Sequence, residues 1–200
     1  MPASWVFATN NLHKLEEVKQ AAGNQIIIQS LAEIGCTEDL PETGETLQDN
    51  ARQKAEFVFQ RFGVACFADD SGLEVEALGG EPGVHSAHYA GPQRSSVDNI
   101  HLLLARMEGK KNRKARFRCV IALVEKDEVQ LFEGMLPGEI IQTPRGTGGF
   151  GYDPVFVPEG ETRTLAEMSL EEKNRISHRA KAMRKLIGHL LSRQPSKQSL

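Results

Sequence analysis

The sequence predicts an α/β fold, with short apolar strands and amphipathic helices taking turns along a single domain of 200 residues. Three observations carry that reading. Apolar residues recur at helical spacing in several segments that open on Ser or Thr or close on Gly. Between them lie short apolar runs of strand length. No internal repeat or linker divides the chain, so residues 1–191 are expected to form one domain, with 192–200, which lack hydrophobic anchors, as a flexible tail.

Taken in order, residues 5–8 predict a strand, and Leu15, Val18 and Ala22 mark a helix that Gly23 ends. Residues 26–28 read as the next strand. Leu47, Ala51, Ala55, Val58, Phe59 and Phe62 share one helix face, and Thr46 with Asp49 makes a capping-box-like start. Strands are expected at 64–68 and 73–78, then a helix bearing Ile100, Leu103, Leu104 and Met107 that Ser95 or Ser96 caps. Residues 117–124 and 129–132 predict a hairpin across the Lys126-Asp127 turn, with 139–142 a third strand. Ile176, Ala180, Met183, Ile187 and Leu190 form the apolar stripe of a C-terminal helix.

Bulk properties narrow the function. A net charge of −3 argues against a general nucleic-acid binder, and the basic run at 110–118, six of nine residues, reads as a solvated loop feeding a strand. Cys36, Cys66 and Cys119 are odd in number and widely spaced, as expected of reduced thiols in a cytosolic protein. With no signal-like N-terminus and no apolar stretch of membrane-spanning length, the expected location is the cytoplasm, with no membrane partner.

Asp69 and Asp70 end the apolar run 64–68 and lead into Ser71-Gly72. Two carboxylates at a strand end need compensation by solvent or a cation. Strand alternation puts Asp70 on the face of Cys66 and Ala68, and Asp69 on that of Phe67, so the two should differ in role. An Asp-Asp-Ser-Gly turn is the plain alternative. Downstream, Gly146, Gly148 and Gly151 match GxGxxG, but Pro154 and an extended run follow where a helix should open, so a dinucleotide fold is excluded. What remains is a loop able to approach a ligand closely, with Phe150 and Tyr152 available to stack on a base, or a simple glycine turn. His85 and His88 lack a third ligand nearby and read as loop residues rather than a metal pair. Lys54 lies on the buried seam of its helix, either snorkelling or reaching an anion. Lys14 follows the first strand at a helix start, where free N–H groups favour phosphate. Ser169 and Glu172 form a capping box, and Ser177 could cap a fresh helix. A break there gathers Lys173, His178 and Arg179 at one spot, whereas a continuous helix spreads them over different faces.

Six motifs then stand in a fixed order: Thr9-x-Asn11-x-x-Lys14, Glu42-Thr43-Gly44, Asn50-Ala51-x-x-Lys54-Ala55, Ala68-Asp69-Asp70-Ser71-Gly72-Leu73, Gly149-Phe150-Gly151-Tyr152-Asp153-Pro154 and Lys173-x-x-x-Ile176-Ser177-His178-Arg179. As a set they resemble the inosine triphosphate pyrophosphatase family, which hydrolyses non-standard purine triphosphates, over about residues 6–190. The resemblance implies an elongated mixed sheet flanked by helices in two lobes, an active site in the cleft between them, and a homodimer. It implies Mg²⁺ held by Glu42 and Asp70, and Asp70 as the proton acceptor for water, with Asp69 orienting the site. Lys14, Lys54 and Lys173, with Asn11 and Ser71, would hold phosphates, and the Thr9-Asn10-Asn11 and Gly151-Tyr152 segments would line the substrate. Phe150 would stack on the purine while Asp153, His178 and Arg179 read its edge. Donors aimed at a 6-oxo group accept hypoxanthine and xanthine but meet the amino donor of adenine. Asn10 stands where relatives often have glycine, a difference of local backbone shape, and His88 where they often have arginine, so no contact of that arginine is transferred. Two rivals are a Maf-like nucleotide pyrophosphatase, disfavoured by the His178-Arg179 pair, and a non-catalytic nucleotide sensor, disfavoured by the retained Glu42 and Asp70.

Overall fold

The computed structural model describes residues 4–126 and 128–193. Asp127 of the predicted hairpin turn, and 194–200 of the predicted tail, lie outside the described residues. Six strands form one mixed sheet in the order β2-β1-β3-β4-β5-β6. β1 (Ser4–Phe7) runs parallel to both β2 (Ile27–Gln29) and β3 (Cys66–Val75). β4 (Lys114–Glu125), β5 (Glu128–Ile140) and β6 (Phe156–Pro158) add antiparallel. The expected α/β class, a mixed sheet flanked by helices, is what the chain adopts.

Alternation along the strands sorts the core. Phe7, Phe67, Ile121 and Leu123 face α1 (Leu12–Ala22) and α5 (His178–Ser192), through Val18 and Ala22 of the first and Met183, Leu186, Ile187 and Leu190 of the second. Val6, Ala8, Cys66, Ala68, Val120 and Ala122 face α2 (Leu47–Phe62) through Leu47, Ala51, Ala55 and Val58. A third core gathers Leu73, Val75, Phe117, Ile140 and Phe156 with Ile100, Leu103 and Met107 of α3 (Ser96–Arg106) and the 152–168 segment. Each large side chain fully buried in these layers contributes about 1.5–3 kcal/mol. The first and third cores lie on the same sheet face, and the buried polar groups of the cleft separate them.

Two strand predictions differ from the structure. The runs at 64–68 and 73–78 contribute to one strand, β3, which passes straight through Asp69-Asp70-Ser71-Gly72 and pairs residue by residue with β4 from Cys66↔Val124 to Val75↔Ala115, while residues 76–78 turn into a 3₁₀ helix instead of extending it. The turn residues are overridden because β4 supplies a continuous ladder. Gly72 also serves a packing need: a Cβ there would lie 2.2 Å from the carbonyl oxygen of Gly83. Likewise 129–132 and the first residues of 139–142 belong to a single β5, which ends at Ile140. Its Gly134 lies beneath the start of α5, where a Cβ would meet the His178 carbonyl oxygen at 2.1 Å. That close approach sets the first turn of α5 against the sheet beside Asp69.

Helix boundaries follow their capping chemistry. Asn11, Thr46 and Ser95 accept from backbone N–H groups at the starts of α1, α2 and α3. The C-terminal stripe is interrupted: α4 (Leu170–Ile176) begins with the Ser169/Glu172 capping box, and Ser177, extended at ψ 152°, caps α5 through Ala180 N.

Candidate active site

A cavity of about 1130 Å³ is lined by residues 9–14, Lys54, Asp70 and Ser71 together with the 84–88 turn and Arg94. The break at Ser177 brings Lys173, His178 and Arg179 to its floor. Of the two arrangements left open by the sequence, the gathered one is found.

One end is built for anions and a cation. The alternation in β3 points Asp70 toward α2, where its Oδ2 accepts from Asn50 Nδ2 at 3.1 Å. Asn50 also accepts from Gly44 N at 2.8 Å, and Gln53 accepts from Thr43 N at 2.9 Å, so α2 pins the loop that carries Glu42. Lys54 Nζ then lies 2.6 Å from Glu42 Oε1 and 3.7 Å from Asp70 Oδ1. Burial, reinforced by neighbouring Asp69 and opposed by Lys54 and Lys14, pushes the Asp70 carboxyl above its ordinary range. Asp70 is therefore a stronger base than a solvated aspartate. On the other face of β3, Asp69 is buried as well, but Lys14, Arg179 and Lys54 outweigh that burial and hold its carboxyl well below the usual range. Lys14 Nζ is 3.1 Å from Asp69 Oδ1, and Arg179 Nε donates to Oδ2 at 3.0 Å. The different roles expected for the two aspartates thus have a structural basis: Asp69 is fixed and ionised, Asp70 is open to the cleft.

Glu42 and Asp70 offer carboxylate oxygens at this end, beside the Lys54 ammonium. Among the described residues no three His, Cys, Asp or Glu side chains converge into a complete metal cage. Two carboxylates with open positions suit Mg²⁺, which keeps waters and takes substrate phosphate as further ligands. The Glu42 and Asp70 carboxylates, with Lys54 drawn between them, supply the oxygen donors that a divalent cation takes.

The other end is aromatic and cationic. Phe150 is half-buried on the glycine loop, and its N–H donates to Asp153 Oδ2 at 2.8 Å. Gly149 adopts φ +70°, and a Cβ there would strike the same carboxylate at 2.1 Å, so glycine is required for this fold-back. Lys173 Nζ sits 2.6 Å from Asp153 and 2.7 Å from Glu17, and 4.7 Å from the centre of the Phe150 ring. Arg179, 1% exposed, pairs with Glu17 and Asp69 and donates to Ser71 Oγ at 2.9 Å. Its guanidinium carbon is 5.6 Å from the Phe150 ring centre. His178 stacks on Phe117 at 4.8 Å with Nδ1 unpartnered, and burial, then Arg179 and Lys173, keep it neutral at physiological pH.

Several sequence-level placements change in detail. Lys173, expected with the phosphate ligands, belongs to the Phe150 end, because Glu17 and Asp153 anchor it there. Tyr152 offers no stacking face: its ring is packed in the third core and its hydroxyl donates to Ser86 O at 2.9 Å. Asn11 spends its carboxamide oxygen on capping α1, accepting from His13 N and Lys14 N, while Thr9 accepts from Asn11 N. Asn10 is exposed and Gly151, at φ +61°, has open space around it. His85 and His88 face each other across 3.3 Å on the cleft wall.

Three contributors were given no role from the sequence. Glu17 was detectable, since it follows Lys14 by three residues and adjoins Val18 on the buried seam of α1. Asn50 occupies the corresponding seam of α2. His13, whose ring lies parallel to Phe150 at 5.4 Å, carried no signal beyond its place between Asn11 and Lys14.

Comparison with known proteins agrees with this geometry. The Ham1 family matches residues 5–189. A Porphyromonas gingivalis protein named dITP/XTP pyrophosphatase is 54% identical over 187 residues, 93% of this chain and 96% of its own length. A Bacillus subtilis protein of the same name is 45% identical, with 90% and 93% covered. The solved Staphylococcus aureus Ham1 protein superposes with a TM-score of 0.86 at 38% identity, covering 96% of this chain and all of that one. Matching over nearly the whole length in both sequence and structure, the chain belongs to the Ham1 family.

Proposed function

We propose that this chain is a Mg²⁺-dependent nucleoside triphosphate pyrophosphohydrolase that converts dITP, ITP and XTP to the monophosphate and pyrophosphate, removing them before they enter DNA or RNA. The observation that carries the reading is the division of one cleft into a carboxylate-lysine end, with Asp70 above its ordinary pKa range, and a Phe150 end furnished with buried donors. The names of the relatives point the same way.

In this reading Asp70 accepts a proton from a water that attacks the α-phosphorus, and the bond to the bridging oxygen of the β-phosphate breaks to release pyrophosphate. Lys14 and Lys54 meet the phosphate oxygens. Bound at Glu42 and Asp70, Mg²⁺ would neutralise phosphate charge and act as a Lewis acid. Phe150 carries the purine, and Lys173, Arg179 and His178 present donors to its edge. A 6-oxo group accepts from them, whereas the 6-amino group of adenine leaves them unpaired. The homodimer and the cytoplasmic location are inferred from the family resemblance and composition. Among the described residues, no helix is long and apolar enough to cross a membrane.

A substrate panel tests this, with pyrophosphate and orthophosphate measured separately. ITP, dITP and XTP should release pyrophosphate, with ATP and GTP poor substrates. Equal turnover of ATP, or orthophosphate as the primary product, refutes the proposal.

A further inference from the structure

Arg94 has no part in the chemistry above, yet it reaches the carboxylate end of the cleft. Its Nη2 lies 3.2 Å from Glu42 Oε2, the oxygen that Lys54 does not hold. The backbone at Arg94 is left-handed, at φ 53°, a region that costs a non-glycine residue free energy. Such conformations persist where the surroundings impose them, and they cluster at ligand clamps. The side chain is 59% exposed, so this ion pair is weak and exchangeable, unlike the buried pairs of Lys14, Lys54, Lys173 and Arg179.

Charge gives the contact a purpose. Within the ion-paired network, five carboxylates (Glu17, Glu42, Asp69, Asp70 and Asp153) face four cations, Lys14, Lys54, Lys173 and Arg179. Before a metal ion binds, that network is net negative, and Arg94 adds a fifth positive charge from the chain itself. Geometry then places the fifth: Asp70, Lys54, Glu42 and Arg94 form a row of successive contacts at 3.7, 2.6 and 3.2 Å. The row leads away from Asp70, so if the α-phosphorus reacts there, Arg94 stands at the far end of the row from it.

We propose that Arg94 is an exchangeable clamp for the terminal phosphates, paired with Glu42 in the free protein and passing to the substrate when Glu42 turns to the divalent cation. Its planar fork suits phosphate oxygens, and it favours triphosphate over monophosphate ligands. The inference rests on the assignment of this cleft end to phosphates.

The test is calorimetric binding of two probes, inorganic tripolyphosphate and inosine monophosphate, with and without Mg²⁺. Arg94→Gly removes the side chain while keeping a residue at ease in the left-handed region, and thermal unfolding should match or exceed that of the unaltered protein. Arg94→Gly should weaken tripolyphosphate about tenfold with Mg²⁺ present, the loss expected for a charge-assisted contact, and less without Mg²⁺, where Glu42 keeps Arg94. Inosine monophosphate binding should not change, and Arg94→Lys should fall between the two. KM for ITP should rise by the same factor with kcat little altered. If the unaltered protein binds neither probe, the phosphate assignment itself fails. If it binds both and Arg94→Gly binds tripolyphosphate equally well, or weakens both probes alike, the clamp alone is overturned.

Discussion

Glu17 is the group on which the Phe150 end depends, and replacing it tests that dependence quantitatively. Its carboxylate is 3% exposed and pairs with Lys173 Nζ at 2.7 Å and with Arg179. Glu17→Gln keeps the shape and removes the charge, leaving two buried cations with one carboxylate partner each: Asp153 for Lys173 and Asp69 for Arg179. Breaking a buried ion pair costs about 3–5 kcal/mol, and the surviving partners place this variant near the lower figure. For a chain of this size, 3 kcal/mol corresponds to a fall in Tm of about 6–12 °C.

The pH dependence of that loss has a definite sign. Burial favours neutral Glu17, but Arg179 and Lys173 outweigh it and hold the carboxyl below its ordinary value of 4.5. A carboxyl depressed in the folded state stabilises the fold above its unfolded pKa, and that contribution disappears as pH falls through the folded value. The Tm gap between Glu17→Gln and the unaltered protein should therefore be complete at neutral pH and narrow only below about 4.5. Thermal unfolding by circular dichroism across pH 3–8 measures both. A neutral-pH gap under about 2 °C, or one that widens in acid, refutes the argument.

The sequence exposed those parts of the site whose chemistry is local. Ser169 with Glu172 and Ser177 announce a helix break, and that break delivers Lys173, His178 and Arg179 to one place. Strand alternation separated Asp69 from Asp70 without any knowledge of what lay on either face. Groups defined by distant partners were harder to see. Glu17 meets Arg179 across 162 residues, so nothing near it in the chain reports that its charge is compensated. The two long strands were missed for a related reason: Asp-Asp-Ser-Gly in β3 reads locally as a turn, and β5 carries Gly134 between the two runs read as separate strands. Their role is to admit an ionised site and the close approach of α5, and the ladders with β4 carry the backbone through. Tyr152 failed differently, because an aromatic beside glycines is equally suited to stacking and to core packing, and only the Ser86 carbonyl decides between them.

Asp70→Asn should abolish pyrophosphate release while leaving the melting curve and most nucleotide binding intact, since the amide can still meet Asn50 but cannot accept a proton. Near-normal turnover in a folded Asp70→Asn protein removes Asp70 from the mechanism. The division between base and phosphate ends is tested by comparing ITP with ATP in two variants. Arg179 is held by Glu17, Asp69 and Ser71, so Arg179→Ala would leave two buried carboxylates with one cation each, Lys173 and Lys14, and confuse lost stability with lost recognition. Arg179→Lys keeps the charge and gives up the planar fork. If Arg179 donates to the 6-oxo group, this variant should lower kcat/KM for ITP far more than for ATP, by about tenfold for a single contact to the correct base. Lys54→Ala should instead depress both substrates by similar factors and leave their ratio unchanged, because its ammonium lies between Glu42 and Asp70 at the end shared by every nucleotide. If Arg179→Lys lowers ITP and ATP equally, Arg179 acts on the phosphates or on Asp69 alone, and the selectivity for the 6-oxo group must come from Lys173 or His178.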